Sequence, residues 1–536
     1  MAQAEWWKRG VIYQIYPRSF QDADGDGVGD LAGIRSRLGH FQDLGVDAIW
    51  ISPIFKSPMA DFGYDISDYR AVDPLFGTLA DLDALIADAH GRGLKVILDL
   101  VPNHTSDQHP WFLESRSSRD NPKRDWYIWR DAGVDGSAPN NWLGNFGGSA
   151  WEWDPATAQF YYHAYLPEQP DLNWRNPEVQ AAMFEVMRFW LDRGVDGFRV
   201  DVLWHLIKDD QFRDDPPNPD WRPGMPSVAR YLEIYSADRP EAHEVARQMR
   251  QVIDSYPDRV LIGEIYLSVD RLVTYYGRAL DEANLPFNFQ LLQASWTAEE
   301  LGRIIRDYEA ALPPGAWPNW VLSNHDRHRI ASRVGPAQAP NAAMLLLTLR
   351  GTPTIYYGDE IGLEQVPVPP DRVQDSWEKN EPGLGLGRDP CRTPMPWDAS
   401  PNGGFTTGEP WLPLNGDWTT RNVASERADP ASMFSLYRDL LALRRATPAL
   451  SLGAYAEISA AEGVLAYERR HGEERIAVAL NLTAEPKTVA LPGDAAWSPL
   501  RSTLGTAPGQ SRRGTLALGP DEGMVLRAEP EAEASV

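Results

Sequence analysis

Short apolar runs bounded by polar turn residues recur along the first two thirds of the chain. They are VIYQIYP (11–17), VDAIWIS (46–52), LKVILDLV (94–101), VDGFRVDV (195–202), RVLIGEI (259–265), NWVLSNHD (319–326) and GTPTIYYGDE (351–360), with a weaker run, LPFNFQL, at 285–291. Between them lie segments with apolar residues on one helical face, among them DLAGIRSRLGHFQDLG, LADLDALIADAHGRG and PEVQAAMFEVMRFWLDRG. Each ends in Gly, a common helix stop. Near-continuous apolar strands alternating with helices predict a parallel sheet buried on both faces. Eight such units predict an α/β fold, the (β/α)8 TIM barrel. An open doubly wound sheet is the alternative, but no G-x-G-x-x-G follows the first strand.

The spacing is irregular in two places. The interval after LDLVPNHTS is far longer than one helix requires, and residues 104–173 are rich in Trp, Asn, Gly and Pro. This predicts a subdomain inserted after strand three, over the barrel mouth. A second excursion, about 359–430, follows the last strand. From about 455 the pattern changes to alternating strands such as GVLAYERR, RIAVALNLT and GMVLRAEP. The expected organisation is a barrel of 1–103 and 174–454, an inserted subdomain of 104–173 and a C-terminal all-β sandwich domain of 455–536, ending in a disordered EAEASV tail.

Composition narrows the partners. A formal net charge of −25 repels nucleic acid and anionic membranes, so a neutral or cationic small ligand fits better. With 21 Trp, 20 Tyr and 16 Phe, the chain is not disordered, and a few of these rings are candidates for stacking on sugars. A single cysteine, Cys391, excludes an intrachain disulfide and fits a reducing compartment. The start, MAQAEWWKRG, lacks a basic segment followed by an apolar one, and AAMLLLTL (342–349) is too short to span a bilayer. The expectation is a soluble, cytoplasmic protein with no membrane partner and an oligomeric state that stays open.

In a barrel, the groups that do chemistry sit at the C-terminal ends of the strands. Those ends carry Asp99, Asn103 and His104, then Arg199 and Asp201, then Glu264, then His325 and Asp326. Any one carboxylate reads equally well as a cap or a structural ion pair. Together at one barrel mouth they suit acid/base and nucleophilic work on a glycosidic bond. Arg199, on the same strand face as Asp201, is expected to hold that carboxyl ionised, while Glu264 in a drier setting starts protonated. Metal-assisted hydrolysis is the competing chemistry, but no H-E-x-x-H or other compact ligand spacing appears.

DLVPNHTS (99–106), GFRVDV (197–202), GEI (263–265) and SNHD (323–326) match, in order, the four conserved regions of the α-amylase superfamily, glycoside hydrolase family 13. QPDLN (169–173) resembles the fifth region of its oligo-1,6-glucosidase and α-glucosidase branch, and FGYDISDY (62–69), GTPTIYYGDEIG (351–362) and CRTPMPWD (391–398) resemble further signatures. The resemblance implies a retaining exo-α-glucosidase acting on short α-glucosides through a glucosyl-enzyme intermediate, with transglucosylation as an accompanying outcome and no organic cofactor. It assigns Asp201 as nucleophile, Glu264 as general acid/base and Asp326 as the third carboxylate. His104 and His325 would bind glucose hydroxyls, and Tyr64 would stack beneath the ring. Asp61 and Arg392 would form the ion pair that closes the pocket on a terminal glucose. Arg388 would assist from the rim, with Phe146, Tyr165 and Gln169 lining the pocket. Val202, after the nucleophile, leans toward α-1,6 linkages, whereas the segment 203–219 resembles a bacterial α-glucosidase subgroup active on α-1,4 linkages or short substrates. Linkage stays open, because one methyl-for-hydroxyl exchange shifts discrimination by only about 1–3 kcal/mol. A sucrose isomerase or other transglucosylase, and a non-catalytic sugar-binding relative, are the alternatives.

One acidic loop lies just beyond the first strand: QDADGDGVGDLAG, 21–33. Asp22, Asp24, Asp26, Val28 (through its carbonyl) and Asp30 fall at EF-hand positions 1, 3, 5, 7 and 9, but Gly33 stands where the bidentate Glu belongs. In the resembling branch the matching loop binds Ca²⁺ or Mg²⁺. A structural cation is therefore expected there.

Overall fold

The computed structural model describes residues 5–505 and 509–529, and the EAEASV tail lies outside them. Eight strands build one parallel sheet: β1 (Ile12–Ile15), β2 (Ala48–Ile51), β3 (Lys95–Leu100), β4 (Gly197–Val200), β5 (Val260–Gly263), β6 (Leu285–Pro286), β7 (Asn319–Val321) and β8 (Thr352–Tyr356). Their order is β6-β5-β4-β3-β2-β1-β8-β7. A parallel bridge between Asn288 and Trp320 joins the two ends, so the sheet closes into a (β/α)8 barrel.

The unbroken apolar strands now have a physical reason. Ile12, Ala48, Trp50, Ile97, Val260, Ile262 and Val321 pack together inside the barrel. Their neighbours Tyr13, Ile49, Val96, Phe198 and Leu261 face outward and join the shell of helices. Both strand faces are dry, so alternation disappears. At Gly197 an added Cβ would lie 2.2 Å from the Val260 carbonyl oxygen, which explains glycine where β4 meets β5.

The segment expected as one helix at 30–45 is two, Leu31–Ser36 and Leu38–Leu44. Arg37 interrupts them at φ −100°, ψ 9°. Its side chain is anchored away from the helix axis, donating to Gln21 (2.6 Å) and stacking on Trp397 (4.2 Å).

Two additions frame the barrel. After β3, a three-stranded antiparallel sheet (Trp129–Arg130, Gln159–Tyr162, Trp151–Asp154) carries its own core of Ile128, Trp142, Trp151 and Tyr162. Beyond residue 453, a five-stranded antiparallel sheet is faced by a two-stranded one, joined through Val464, Leu526, Val489, Leu516 and Leu518. Arg444, on the last barrel helix (Met433–Ala446), is buried and donates to the carbonyls of Leu347, Leu349, Gly351 and Leu450. It ties that helix to the start of β8 and to the approach to the C-terminal domain. Replacing it by Met orphans buried acceptors, so Arg444→Met is expected to cost at least about 2 kcal/mol of stability. A thermal melt is the check, and an unchanged melting temperature would contradict it.

Candidate active site

The barrel's C-terminal ends open into a cavity of about 510 Å³. Asp201 and Glu264 are the first residues past β4 and β5, so the strands themselves aim them. Asp326 follows β7 through a tight turn, in which its N–H donates to Asn324 Oδ1 (3.0 Å). All three line the cavity.

Behind them lies Arg199, 1 % exposed. One of its nitrogens donates to Asp99 (2.9 Å) and Asp201 (2.7 Å), and another meets Glu264 Oε2 at 2.7 Å. Glu264 Oε2 also accepts the Val202 N–H (2.9 Å). Val202 has φ +41° and ψ +46°, a left-handed backbone costly for a β-branched residue, and this turn points its N–H at the glutamate. Arg199 thus holds Asp201 and Glu264 side by side, close enough for their carboxyls to share a hydrogen bond.

Adjacency in sequence predicts that Arg199 depresses Asp201 alone, and here the geometry corrects the reading. Its charge is divided among three carboxylates. Burial and the neighbouring Glu264 outweigh it and push Asp201 well above the carboxylate range. Burial also raises Glu264, against Arg199, and raises Asp99 to about 7. One cation cannot balance three anions out of water, so the cluster retains a proton. Asp326 behaves oppositely. Burial disfavours its charge, but His325, Arg388 and Arg392 override that and hold it well below the ordinary range.

A second correction concerns the closed end. Asp61 does not pair with Arg392. It meets Arg388 Nη2 at 2.7 Å, and the same nitrogen contacts Asp375 at 2.6 Å. Arg392 sits behind the pocket, donating to the His325 carbonyl (2.7 Å) and to Asp326 (3.0 Å). The two arginines are four residues apart around a short 3₁₀ turn, Asp389–Cys391; both reach Asp326 Oδ1, Arg392 at 3.0 Å and Arg388 at 3.4 Å, but it is Arg388 that turns to Asp61. Sequence spacing gives no means of choosing between them.

The remaining predicted residues converge here. His325 Nδ1 accepts from Gln14 Nε2 (2.8 Å), its Nε2 donates to Tyr64 Oη (2.6 Å), and its ring lies within 4° of parallel to Tyr64. Burial lowers it to about 3, so it is a neutral imidazole at pH 7. His104, also neutral, contacts Gln169 Nε2 at 3.1 Å, and Gln169 donates onward to Asp61 at 3.4 Å. Phe146 lies against Tyr165 and under Arg388, completing that wall.

The chain matches the α-amylase catalytic-domain family over residues 14–453. It belongs to the α-amylase family. It is 46% identical over 503 residues to a probable alpha-glucosidase of Rhizobium meliloti, covering 91% of each chain. An oligo-1,6-glucosidase of Parageobacillus thermoglucosidasius is 39% identical over 524 residues, covering 91% of this chain and 92% of its own. Among solved structures, the alpha-glucosyl transfer enzyme XgtA superposes with a TM-score of 0.94 at 44% identity, covering 98% of this chain and all (100%) of that one. The trehalulose synthase MutB of Pseudomonas mesoacidophila gives 0.91 at 37% identity with the same coverage, 98% and 100%. This α-amylase family member is a glycoside hydrolase.

Elsewhere in the hydrolase, the acidic loop brings Asp22, Asp24 and Asp30 together, with one carboxylate oxygen of each within 4.8 Å of the others. Asp26 stands outside that trio, accepting the Val28 N–H at 2.8 Å. Gly27 is forced: at φ +93°, an added Cβ would meet the Glu409 carbonyl oxygen at 1.9 Å.

Sequence reading misses Asp375, which anchors Arg388, and Lys208, which is buried against Asp171 and Asn103 and so braces His104 from behind. It also misses Arg327, Trp377 and Glu233 on the cavity wall. Asp171 lies within a recognised motif, QPDLN, but nothing marks its partner. Removing Arg392 takes away a cation that keeps Asp326 ionised. Arg392→Met should therefore lower kcat/KM on a short glucoside at least tenfold, and Arg392→Lys, which keeps the charge, should recover part of the loss. Steady-state kinetics at matched melting temperature measure this, and an unchanged kcat/KM in the Met variant would refute the assigned pairing.

Proposed function

We propose that this glycoside hydrolase is a retaining, exo-acting α-glucosidase that releases terminal glucose from short α-glucosides, α-1,4 or α-1,6. The observation that carries the reading is the joint seating of Asp201 and Glu264 on one buried guanidinium. Carboxyl groups about 5–5.5 Å apart suit a covalent glycosyl intermediate, whereas inversion needs about 6.5–9.5 Å to admit a water between them.

In the reacting state the pair's shared proton sits on Glu264: Asp201, as the carboxylate, attacks the anomeric carbon while Glu264 gives that proton to the departing oxygen. The glycosidic bond breaks, and an ester joins glucose to Asp201. In the second step Glu264, now a carboxylate, takes a proton from water as the water oxygen attacks the same carbon. Glucose leaves and Asp201 is freed. Asp326, kept anionic, accepts hydrogen bonds from ring hydroxyls, with His104 and His325 as neutral partners and Tyr64 beneath the sugar. The Asp61–Arg388–Asp375 cluster ends the pocket behind the terminal glucose, which favours chain ends over internal bonds. When a sugar or alcohol replaces water in the second step, the outcome is transglucosylation. The likeness to XgtA and MutB supports keeping that second reading.

A structural Ca²⁺ or Mg²⁺ belongs to the same proposal, held by Asp22, Asp24, Asp26, Asp30 and the Val28 carbonyl. The donors are all oxygen, as hard cations require, and a cation offsets the repulsion among the clustered carboxylates.

Two outcomes are expected. Glu264→Gln should lower kcat/KM on maltose or isomaltose by about 10²–10⁴-fold, and far less on p-nitrophenyl α-glucoside, whose leaving group needs no proton. Equal losses on both would contradict the assigned role, and dominance of isomaltulose or trehalulose from sucrose would favour the isomerase alternative. Chelation should lower the melting temperature while leaving turnover at moderate temperature largely intact. Immediate loss of activity at unchanged stability would overturn a structural role for the ion.

A further inference from the structure

We propose that Glu233 and Arg327 form a recognition pair on the leaving-group side of the cavity, selecting a polyhydroxylated aglycone, a second sugar, over an aryl or alkyl one. The inference rests on the α-glucosidase reading and extends it to the group on the far side of the scissile bond. The closed end of the cavity is built from Asp61, Arg388 and their neighbours, none of which comes from the excursion after β4. That excursion supplies Pro226, Val228, Ala229 and Glu233 to the remaining wall. This part of the wall is largely apolar, so its two charged groups stand out.

Glu233 is held at the apex of a γ-turn, in which the Ile234 N–H donates to the Leu232 carbonyl (2.7 Å). It is open to the cleft, and among the described residues no hydrogen bond or ion pair engages its carboxyl. Arg327, next to Asp326, stacks over Tyr266 at 5.2 Å and approaches Trp377 at 6.0 Å. It has no ion-pair partner among the described residues, and its Nε is without a hydrogen-bond partner. Elsewhere in the site the charged groups are paired with one another. A water-facing acceptor and an N–H donor with no protein partner, in one cavity, fit a ligand that gives and takes hydrogen bonds at once, as vicinal sugar hydroxyls do. An aryl ring offers neither.

The test compares kcat/KM for maltose and isomaltose with that for p-nitrophenyl α-glucoside in wild type, Glu233→Ala, Glu233→Gln and Arg327→Ala. The disaccharide-to-aryl ratio should fall at least tenfold in both alanine variants, mainly through KM. Glu233→Gln, which keeps an acceptor oxygen, should recover part of it. An unchanged ratio, or equal losses on all substrates, would overturn the pair. Wild type that hydrolyses none of these glucosides would instead overturn the α-glucosidase reading. Matching melting temperatures establish that the variants are folded, and Glu233→Gln serves where the alanine variant is not.

Discussion

A single buried arginine sets the terms for the rest of the site. Arg199 carries one positive charge into the dry top of a barrel and meets Asp99, Asp201 and Glu264 there. A lone charge at that depth would be prohibitively costly, and so would the carboxylates without it. The balance is incomplete: three acids share one base, so a proton stays in the cluster. That condition is the one the proposed retaining mechanism requires, with one carboxyl able to attack and another still able to donate. Asp326 lies outside this shortage because Arg388 and Arg392 supply it with charge separately.

The barrel makes the arrangement rigid. Asp201 and Glu264 leave adjacent, paired strands at their first exposed positions, so their separation is fixed by the β4–β5 ladder rather than by loop conformation. Loops then do what strands cannot. The inserted subdomain brings Gln169 and Tyr165 over the mouth. The excursion after β8 brings Asp375 and Arg388 to close one end, and the excursion after β4 lines the other. The cavity walls are therefore built by loops around carboxylates that the strands hold in place.

The sequence makes some parts legible for physical reasons. Strands buried on both faces leave unbroken apolar runs, and a barrel concentrates functional side chains at strand ends. The fold and the three carboxylates can therefore be read together. Asp61, Arg388 and Arg392 can be singled out, but not paired correctly, because pairing depends on how a 3₁₀ turn rotates two arginines four residues apart. The direction of the Asp201 shift is hidden for a related reason. Adjacency to Arg199 is visible in sequence, whereas the competing claims of Asp99 and Glu264 on the same guanidinium are not.

By itself, then, the sequence determined the barrel, the order of its elements and a set of candidate carboxylates at the strand ends, since these follow from periodicity and from residue type at strand ends. Only the tertiary structure decided which arginine faces which carboxylate, how one charge is divided among three acids, and which polar groups remain unpaired in the cavity. Those are properties of distance and burial between residues far apart in the chain. Electrostatic energy depends on both, and a linear pattern records neither.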